Sequence, residues 1–250
     1  MSAAPTAPSS APGEAFEVRQ TATSEDYTPD PSKSIKLPPN RQALIDDIIA
    51  LYSCEPTVKR VERYTSDCVY DDQFVYANDR YKMYAHPGTP PPTPQPFLPP
   101  VYLSNAIRAG QWFALPKLFK ASKNERYEII RNEPTLIQFK NEQSWTFKII
   151  PKTATINALV SLSLDPATAD SDFVQVKYHK DQANDKDYSH EGKNFAGVGF
   201  SFKKWQADQV AKHMDSEEVA YFEKDKGANK EPVKKYGSGD EKGDAPKHTF

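Results

Sequence analysis

The chain has 250 residues, a formal net charge of −2 and nearly equal numbers of basic (32) and acidic (34) residues. This balance argues against a dedicated nucleic-acid-binding protein, which would carry an excess of basic residues. The two cysteines, Cys54 and Cys68, have neither metal-ligand nor redox-motif spacing, so we expect reduced thiols, no metal site and no cofactor.

The two ends of the chain have the composition of disordered tails. Residues 1–38 are rich in Ala, Pro, Ser and Thr, and residues 223–250 in Lys, Gly, Glu and Asp, so both can bury little apolar surface. One domain is therefore expected over residues 39–222. The N-terminus lacks the pattern of a secretory signal, and no stretch is apolar enough to span a bilayer. We expect no membrane partner and a location in the cytoplasm, or in the cytoplasm and nucleus.

Two helices and a strand are predicted first. Asn40 is a candidate N-cap for RQALIDDIIALYS, in which apolar residues recur at helical spacing. A second helix follows Pro56 over PTVKRVERYTS, since proline is favoured in a first turn. Next, CVYDDQFVY alternates with period two, which predicts a strand with Tyr70, Asp72 and Phe74 on one face.

Residues 84–108 interrupt this pattern, because eight of these 25 residues are proline and none is Asp, Glu or Lys. Two interpretations stay open. One is an extruded Pro-rich loop of solvated polyproline II character, which costs little in loop-closure entropy. The other is a retained intron. Codons with splice donor, branch-point and acceptor signals can be chosen across this segment, and their removal joins Met83 to Ala109 in frame.

The chain becomes rich in β-strand after a helix predicted near residues 110–121. Five runs predict strands: RYEIIRNEP, TLIQFKN, SWTFKII, TINALVSLSL and FVQVKYHKD. We expect TLIQFKN and SWTFKII to form a hairpin, and TINALVSLSL to bury one face and leave the other partly solvated. A last helix is predicted over residues 202–214. This order indicates the α+β class, with a strongly curved antiparallel or mixed sheet wrapped around the N-terminal helices, plus a C-terminal helix.

The order of elements resembles the nuclear-transport-factor-2-like superfamily, the SnoaL-like cone fold, and in particular its uncharacterised fungal members. The resemblance rests on LIDDIIALY, TVKRVERYTSD, CVYDDQFVY, AGQWFALPKLF and the strands after residue 125, and it covers about residues 40–182. Members include ketosteroid isomerases, dehydratases, polyketide cyclases and epoxide hydrolases, and also binding modules and homodimers formed through the sheet. The resemblance implies a pocket between sheet and helices, and leaves open whether chemistry occurs there.

Enzymes of this superfamily use Asp, His and Tyr side chains that point into the cone. Here the resemblance makes Asp72, with Tyr70 or Tyr64, a candidate acid–base pair for a lyase, isomerase or cyclase. The alternative is that Asp72 faces solvent or binds backbone amides of a turn. Strand alternation puts His179 beside Lys177 on a polar face, so we expect His179 to be exposed.

The pocket walls are expected to be aromatic, formed by Tyr70, Phe74, Trp112, Phe139 and Trp145. Such walls suit a small apolar ligand, so the sequence predicts a small-molecule-binding domain. An acid–base enzyme and a protein-interaction or homodimerisation module remain alternatives. Residues 84–108 lie where the mouth of the pocket is expected, so we expect tighter ligand binding without them.

Overall fold

The computed structural model describes residues 12–18, 27–73, 75–83, 112, 115–148, 152–183 and 217–229. Predictions for Phe74, for the insertion at 84–108 and for the helix at 202–214 lie outside these residues. The α-helices are α1 (Pro39–Tyr52), α2 (Val58–Val61), α3 (Leu115–Leu118) and α4 (Glu217–Phe222), and short 3-10 helices span Pro12–Phe16, Pro31–Lys33 and Glu223–Asp225. The strands are β1 (Tyr64–Asp71), β2 (Tyr76–Ala77), β3 (Phe119–Glu133), β4 (Leu136–Phe147), β5 (Thr153–Leu164) and β6 (Val176–Ala183).

In the described part of the chain, six strands form one sheet in the order β2-β1-β6-β5-β4-β3. β1 and β6 run parallel, and the other neighbours run antiparallel. β2 and β3 form the two edges, so this sheet does not close into a barrel. The α+β class and the mixed sheet predicted from the sequence are confirmed.

One face of the sheet, which we call the inner face, packs against α1. Every third or fourth residue of α1 points towards the sheet, and these side chains are completely buried: Leu44, Ile45, Ile48 and Leu51. On β5 the predicted alternation holds, and the residues that share this core are Ala158, Val160, Leu162 and Leu164. Burial of each large aliphatic side chain contributes about 1.5–3 kcal/mol, so this layer supplies much of the stability of the domain.

α1 lies across the inner face of the sheet, as its contacts with distant strands indicate. Gln42 Nε2 donates to Tyr127 Oη on β3 (3.0 Å), and Tyr52 Oη bonds to His179 Nε2 on β6 (3.0 Å). Two further strands separate β3 from β6, which would place them about 14 Å apart in a flat sheet. Gln42 and Tyr52 are about 15 Å apart along the helix axis, so one helix spans this distance and crosses β3, β4, β5 and β6.

α1 begins two residues earlier than predicted. Its first residue is Pro39, which suits a first turn because the missing N–H would have no helical partner there. Asn40 therefore lies inside the helix and is not its N-cap. Its side chain instead donates to the carbonyl of Ser171 (2.8 Å), which ties the start of α1 to the turn before β6.

α1 ends in a Schellman motif. The Cys54 N–H donates to the Leu51 carbonyl (3.1 Å), and the Glu55 N–H donates to the Ala50 carbonyl (3.0 Å). Cys54 has φ of 64°, in the left-handed region where glycine is usual. The motif fixes the direction of the last helical residue, Tyr52, which belongs to the site described below.

The predicted hairpin between TLIQFKN and SWTFKII is wrong, because both runs belong to the single strand β4. The late sheet therefore has four long strands instead of five, and the turn lies at 134–135. Glu142 and Gln143, which suggested a turn, and the neighbouring Asn141 are paired inside the sheet, where Arg126 Nη2 donates to Glu142 Oε2 (3.0 Å). Asn124 Nδ2 donates to Asn141 Oδ1 (2.6 Å), and Gln143 Nε2 donates to Ser122 Oγ (2.7 Å). Buried polar side chains with such partners are compatible with a continuous strand.

Three other elements differ in extent from the prediction. α2 covers only Val58–Val61, and residues 64–66, predicted as helix, begin β1. β1 ends at Asp71, although the predicted strand ran on to Tyr76, and residues 76–77 form β2. α3 covers only Leu115–Leu118, and residues 119–121, predicted as helix, begin β3. Extended pairing with β4 takes precedence there over the helical pattern, since it satisfies the backbone groups of a sheet edge.

Both ends of the chain include ordered segments that the sequence assigned to disordered tails. Residues 12–18 lie on the outer face of the sheet, and residues 27–38 run beside β3, where the Ile35 N–H donates to the Ile129 carbonyl (2.9 Å). Near the other end, buried Asp225 forms a salt bridge with Arg80 (2.7 Å). These segments are held largely by polar contacts, so their low apolar content did not reveal them.

The described residues on either side of the insertion meet in space. Met83 and Trp112 are both buried, and the Trp112 N–H donates to the Met83 carbonyl (3.2 Å). Removal of residues 84–108 would make these residues i and i+4, the spacing of an α-helical hydrogen bond. One helical turn can therefore close the shortened chain without moving its flanks, which suits both interpretations of the insertion.

Candidate active site

Five ring side chains from separate parts of the chain meet at the end of α1. We call them the aromatic cluster: Tyr52, Tyr64, Tyr70, Trp112 and His179. Each is at most 5% exposed. Trp112 makes edge contacts with Tyr52 and Tyr70 at centroid distances of 5.2 Å, and the rings of Tyr70 and His179 lie 4.9 Å apart. The cluster is an apolar environment into which several polar atoms project.

His179 lies between two tyrosine hydroxyls. Its Nδ1 is 2.8 Å from Tyr64 Oη, and its Nε2 is 3.0 Å from Tyr52 Oη. Tyr52 Oη also lies 2.7 Å from Asp181 Oδ2, and an ionised carboxylate only accepts hydrogen bonds. Tyr52 therefore donates its one proton to Asp181 and accepts from His179. This places the imidazole proton on Nε2 and leaves Nδ1 to accept from Tyr64.

The result is a directed chain in which Tyr64 donates to His179, His179 to Tyr52, and Tyr52 to Asp181. Burial lowers the pKa of His179 to about 3, so its imidazole is neutral at physiological pH. Burial also raises the pKa of both tyrosines well above the usual value, so their hydroxyls keep their protons. Of the four side chains in this hydrogen-bonded series, only Asp181 carries a charge, and its carboxylate is half-buried.

A second tyrosine–carboxylate pair borders the cluster. Tyr70 Oη donates to Asp72 Oδ2 (2.9 Å), and burial, followed by the nearby charge of Asp72, raises the pKa of Tyr70. The other carboxylate oxygen of Asp72 accepts from the Val75 N–H (2.6 Å) and closes the turn after β1. Asp72 thus has a tyrosine partner and also binds a backbone amide of the turn.

The end of α1 is fixed by side chains of the neighbouring strands. Ser122 Oγ donates to the carbonyl of Tyr52 (2.7 Å), and Gln143 Nε2 donates to the same oxygen (3.3 Å). Both donors satisfy a backbone group that the end of a helix leaves without an intrahelical partner. They therefore hold Tyr52 in the position from which its hydroxyl reaches His179 and Asp181.

The structure separates the residues predicted to form the site. Tyr70 and Trp112 meet in the aromatic cluster, and Tyr64 joins them, but it bonds to His179 and not to Asp72. Phe139 and Trp145 lie on the inner face of β4, where Phe139 contacts Tyr127 (6.4 Å) and Trp145 contacts Phe119 (4.7 Å). Phe74 lies outside the described residues.

The expectation that His179 is exposed is wrong, because its exposure is 0%. The cause is a β-bulge. Leu164 pairs with Val176, but the next pair along is Ser163 with Tyr178, so Lys177 is an extra residue that reverses the alternation. His179 then points to the inner face together with Asp181, two residues further along the same strand. Histidine and aspartate at i and i+2 were the signal that sequence analysis missed.

The part of the chain that the structure describes contains no group of three or more His, Cys, Asp or Glu side chains arranged to hold a metal ion. None of the helices described is long and apolar enough to cross a membrane.

Comparisons with known proteins add one similarity of structure. No protein-family model matches the chain, and no curated protein matches it. Among solved structures, it is similar to an NTF2-like protein from Anabaena variabilis ATCC 29413, with 8% identity, a TM-score of 0.38, and coverage of 58% of this chain and 86% of that chain. The α+β class of this domain is defined by its own strand order and by the packing of α1.

Proposed function

We propose that this domain binds a small, mainly apolar molecule beside the aromatic cluster and catalyses proton transfer on it. The observation that carries the proposal is the hydrogen-bonded chain that ends at Asp181, next to a second carboxylate–tyrosine pair, Tyr70–Asp72. Buried polar networks of this kind are costly to build unless every member is satisfied. Carboxylates and tyrosines bordering an apolar environment are the groups that general acid–base catalysis uses.

The proposed reaction class is that of a lyase, isomerase or cyclase acting on a carbonyl compound. Asp72 takes a proton from the carbon next to the carbonyl, so that a C–H bond breaks, an O–H bond forms on Asp72 and the substrate becomes an enolate. As Asp72 takes up the proton, the Tyr70 hydroxyl turns from Asp72 to donate its one hydrogen bond to the enolate oxygen, and it keeps its proton because burial raises its pKa. Return of the proton from Asp72 to another carbon completes an isomerisation.

His179 is a positioning residue in this scheme. Both of its ring nitrogens are already hydrogen-bonded, Nε2 to Tyr52 and Nδ1 to Tyr64, so neither has a lone pair available to take a proton from a substrate, and His179 is not the base. Its two hydrogen bonds instead fix the hydroxyls of Tyr52 and Tyr64, and with them one wall of the aromatic cluster. The half-buried carboxylate of Asp72 remains the better base.

Hydrogen–deuterium exchange at the α-carbon of 2-tetralone, followed by NMR in D2O, tests the proposed proton transfer. We expect the protein to accelerate exchange above the buffer rate, and Asp72→Asn to lose about 100-fold or more of that acceleration. Asp67→Asn is the matched control, since Asp67 is a half-buried aspartate of β1 that pairs with Lys177 (2.8 Å). No acceleration by the unsubstituted protein, across a panel of small ketones, would contradict the enzymatic proposal.

Ligand binding without chemistry is a second candidate. It is favoured by the bond from the Val75 N–H to Asp72, which gives that carboxylate a purely structural task. Under this alternative the same ketones, or the corresponding phenols, bind with a saturable affinity and no exchange is accelerated. The Asp72→Asn variant would then bind as well as the unsubstituted protein. Affinity measured with and without residues 84–108 shows whether the insertion restricts access.

A further inference from the structure

The outer face of the sheet holds a short segment of the chain itself. Residues 12–18 lie across β1, β6 and β5, and Pro12–Phe16 forms a 3-10 helix there. The Ser163 Oγ on β5 donates to the carbonyl of Phe16 (2.6 Å). The segment accounts for the burial of Ser163, which lies on the face of β5 predicted to be partly solvated.

The segment passes so close to the sheet at residue 13 that only glycine fits there. A Cβ on Gly13 would lie 2.2 Å from the carbonyl oxygen of Asp67 and 3.1 Å from a methyl group of Val69. The Gly13 N–H donates to Asn229 Oδ1 (3.2 Å), and the Asn229 amide nitrogen donates to the carbonyls of Asp67 (2.6 Å) and Asn78 (2.7 Å). Asn229 is thus held in place with its oxygen towards the segment.

Two acidic side chains of the segment enter buried positions. Glu17 is 0% exposed and pairs with the ammonium group of Lys180, itself 2% exposed, at 2.6 Å. Glu14 is also 0% exposed and accepts from the hydroxyl of Tyr76. A lysine is almost never buried this deeply without a paired charge, so the sheet face is built to receive an acidic group here.

An aromatic residue lies between the two glutamates. Phe16 packs on the small apolar patch formed by Val69, Tyr76 and Tyr178, and Lys177 Nζ lies 5.9 Å from the centre of its ring. The segment therefore makes a glycine contact, two acidic contacts and one aromatic contact, all with side chains or backbone of the sheet and of residue 229. A peptide can make all of these contacts only if it has glycine, glutamate and phenylalanine at the matching positions.

We infer that this face, the peptide groove, is a binding site for an acidic peptide with the pattern Gly-Glu-Ala-Phe-Glu. In this structure the chain's own residues 13–17 fill it. The occupant in trans is the same segment of a second copy of the chain, which carries the one sequence already shown to fit. Exchange of the segment between copies links two domains without any new contact, because each groove stays filled. The inference is independent of the proposed catalytic function.

The test uses a labelled peptide of residues 10–20 and the full chain, with fluorescence anisotropy as the measurement. In the variant Gly13→Val/Glu17→Lys the clash at Asp67 and the charge repulsion at Lys180 release the tethered segment. We expect this variant to bind the peptide at least about tenfold more tightly than the unsubstituted chain, where the tethered segment competes at an effective concentration of about millimolar. A control peptide with Glu17→Lys should not bind. Absence of peptide binding to the folded variant would overturn the inference.

Exchange between copies is tested by mixing two variants and recording native mass spectra. Lys180→Met damages the groove and keeps the segment, whereas Gly13→Val/Glu17→Lys damages the segment and keeps the groove. We expect a 1:1 complex in the mixture and monomers in each separate sample. Peptide binding together with a mixture that stays monomeric would refute the second copy as occupant.

If the double variant does not fold, hydrogen exchange on the unsubstituted chain decides. The inference requires the amides of residues 14–18 to exchange through local opening, at least about tenfold faster than the amides of β5 and β6. Equal rates would show that the segment opens only with the whole domain. It would then be part of the core and not an exchangeable peptide.

Discussion

Stability at low pH is expected to depend on His179. The imidazole has an ordinary pKa near 6.5 in the unfolded chain and about 3 in the folded domain, where burial opposes its charge. Between these values the unfolded chain binds a proton that the native domain does not bind. Acidification therefore favours the unfolded state, so stability is lost as the pH falls below about 6.5 and the loss continues until about pH 3.

The magnitude follows from the size of the pKa shift. One pH unit inside this window corresponds to about 1.4 kcal/mol for a single group. Lowering the pH from 7 to about 4.5 crosses roughly two units of the window. His179 should therefore remove about 2.5 kcal/mol from the free energy of unfolding, a large fraction of the stability of a typical domain.

Urea denaturation of the unsubstituted protein and of His179→Gln, each at pH 7 and at about pH 4.5, measures this quantity. Glutamine can donate to Tyr52 and accept from Tyr64 but does not titrate, so it removes the proton uptake and keeps partners for both hydroxyls. Protonation of carboxylates such as Asp67 also destabilises the domain in acid. Burial raises the pKa of Asp67, but its bond to Lys177 outweighs burial and the pKa is lowered overall. They are present in both proteins and cancel in the difference. Equal losses in the two proteins would refute the assignment of a buried neutral histidine.

Three further substitutions follow from the fold. Cys54→Gly removes the strain of a left-handed residue at the end of α1, so it should raise the free energy of unfolding by about 0.5–1 kcal/mol. Cys54→Ala, the control, should not raise it. A lower free energy of unfolding in the Gly variant would contradict the strain. Arg80→Met leaves Asp225 as an uncompensated buried charge and should cost about 3 kcal/mol in urea denaturation; a cost below 1 kcal/mol would show that the pair is solvated. Deletion of residues 84–108 should leave the far-UV circular dichroism of the domain unchanged, and Trp112 should keep the fluorescence emission of a buried tryptophan. A shift of the emission to that of a solvent-exposed tryptophan would refute the proposed closure.

The arrangement of helices and strands was largely readable from periodicity. The apolar stripe of α1 and the alternation of β5 both proved correct, because burial of one face imposes a repeat on the sequence. The errors occurred where polar residues have buried partners. Glu142 and Gln143 suggested a turn, although Arg126 and Ser122 pair with them within the sheet. A sequence shows the polarity of a residue and not whether a partner will reach it.

The candidate site shows more sharply which features local sequence reveals and which it does not. The region of Tyr64, Tyr70 and Asp72 could be selected from local sequence, since three of the relevant side chains lie within nine residues of each other. His179 was dismissed because one bulged residue, Lys177, reverses the strand pattern on which the expectation relied. Strand alternation is a local rule, and a single extra residue changes the face of every side chain that follows.

The amino-acid order was sufficient for the class of fold, the helix over residues 39–52 and the apolar face that it buries, because these depend on local repeats. The joining of Tyr52, Tyr64 and His179, and the seating of residues 12–18 on the opposite face, depend on contacts across more than a hundred residues. Such contacts leave no periodic trace, since each is made by one side chain and one partner. They exist only once α1 has packed across the sheet and distant parts of the chain lie within hydrogen-bonding distance of each other.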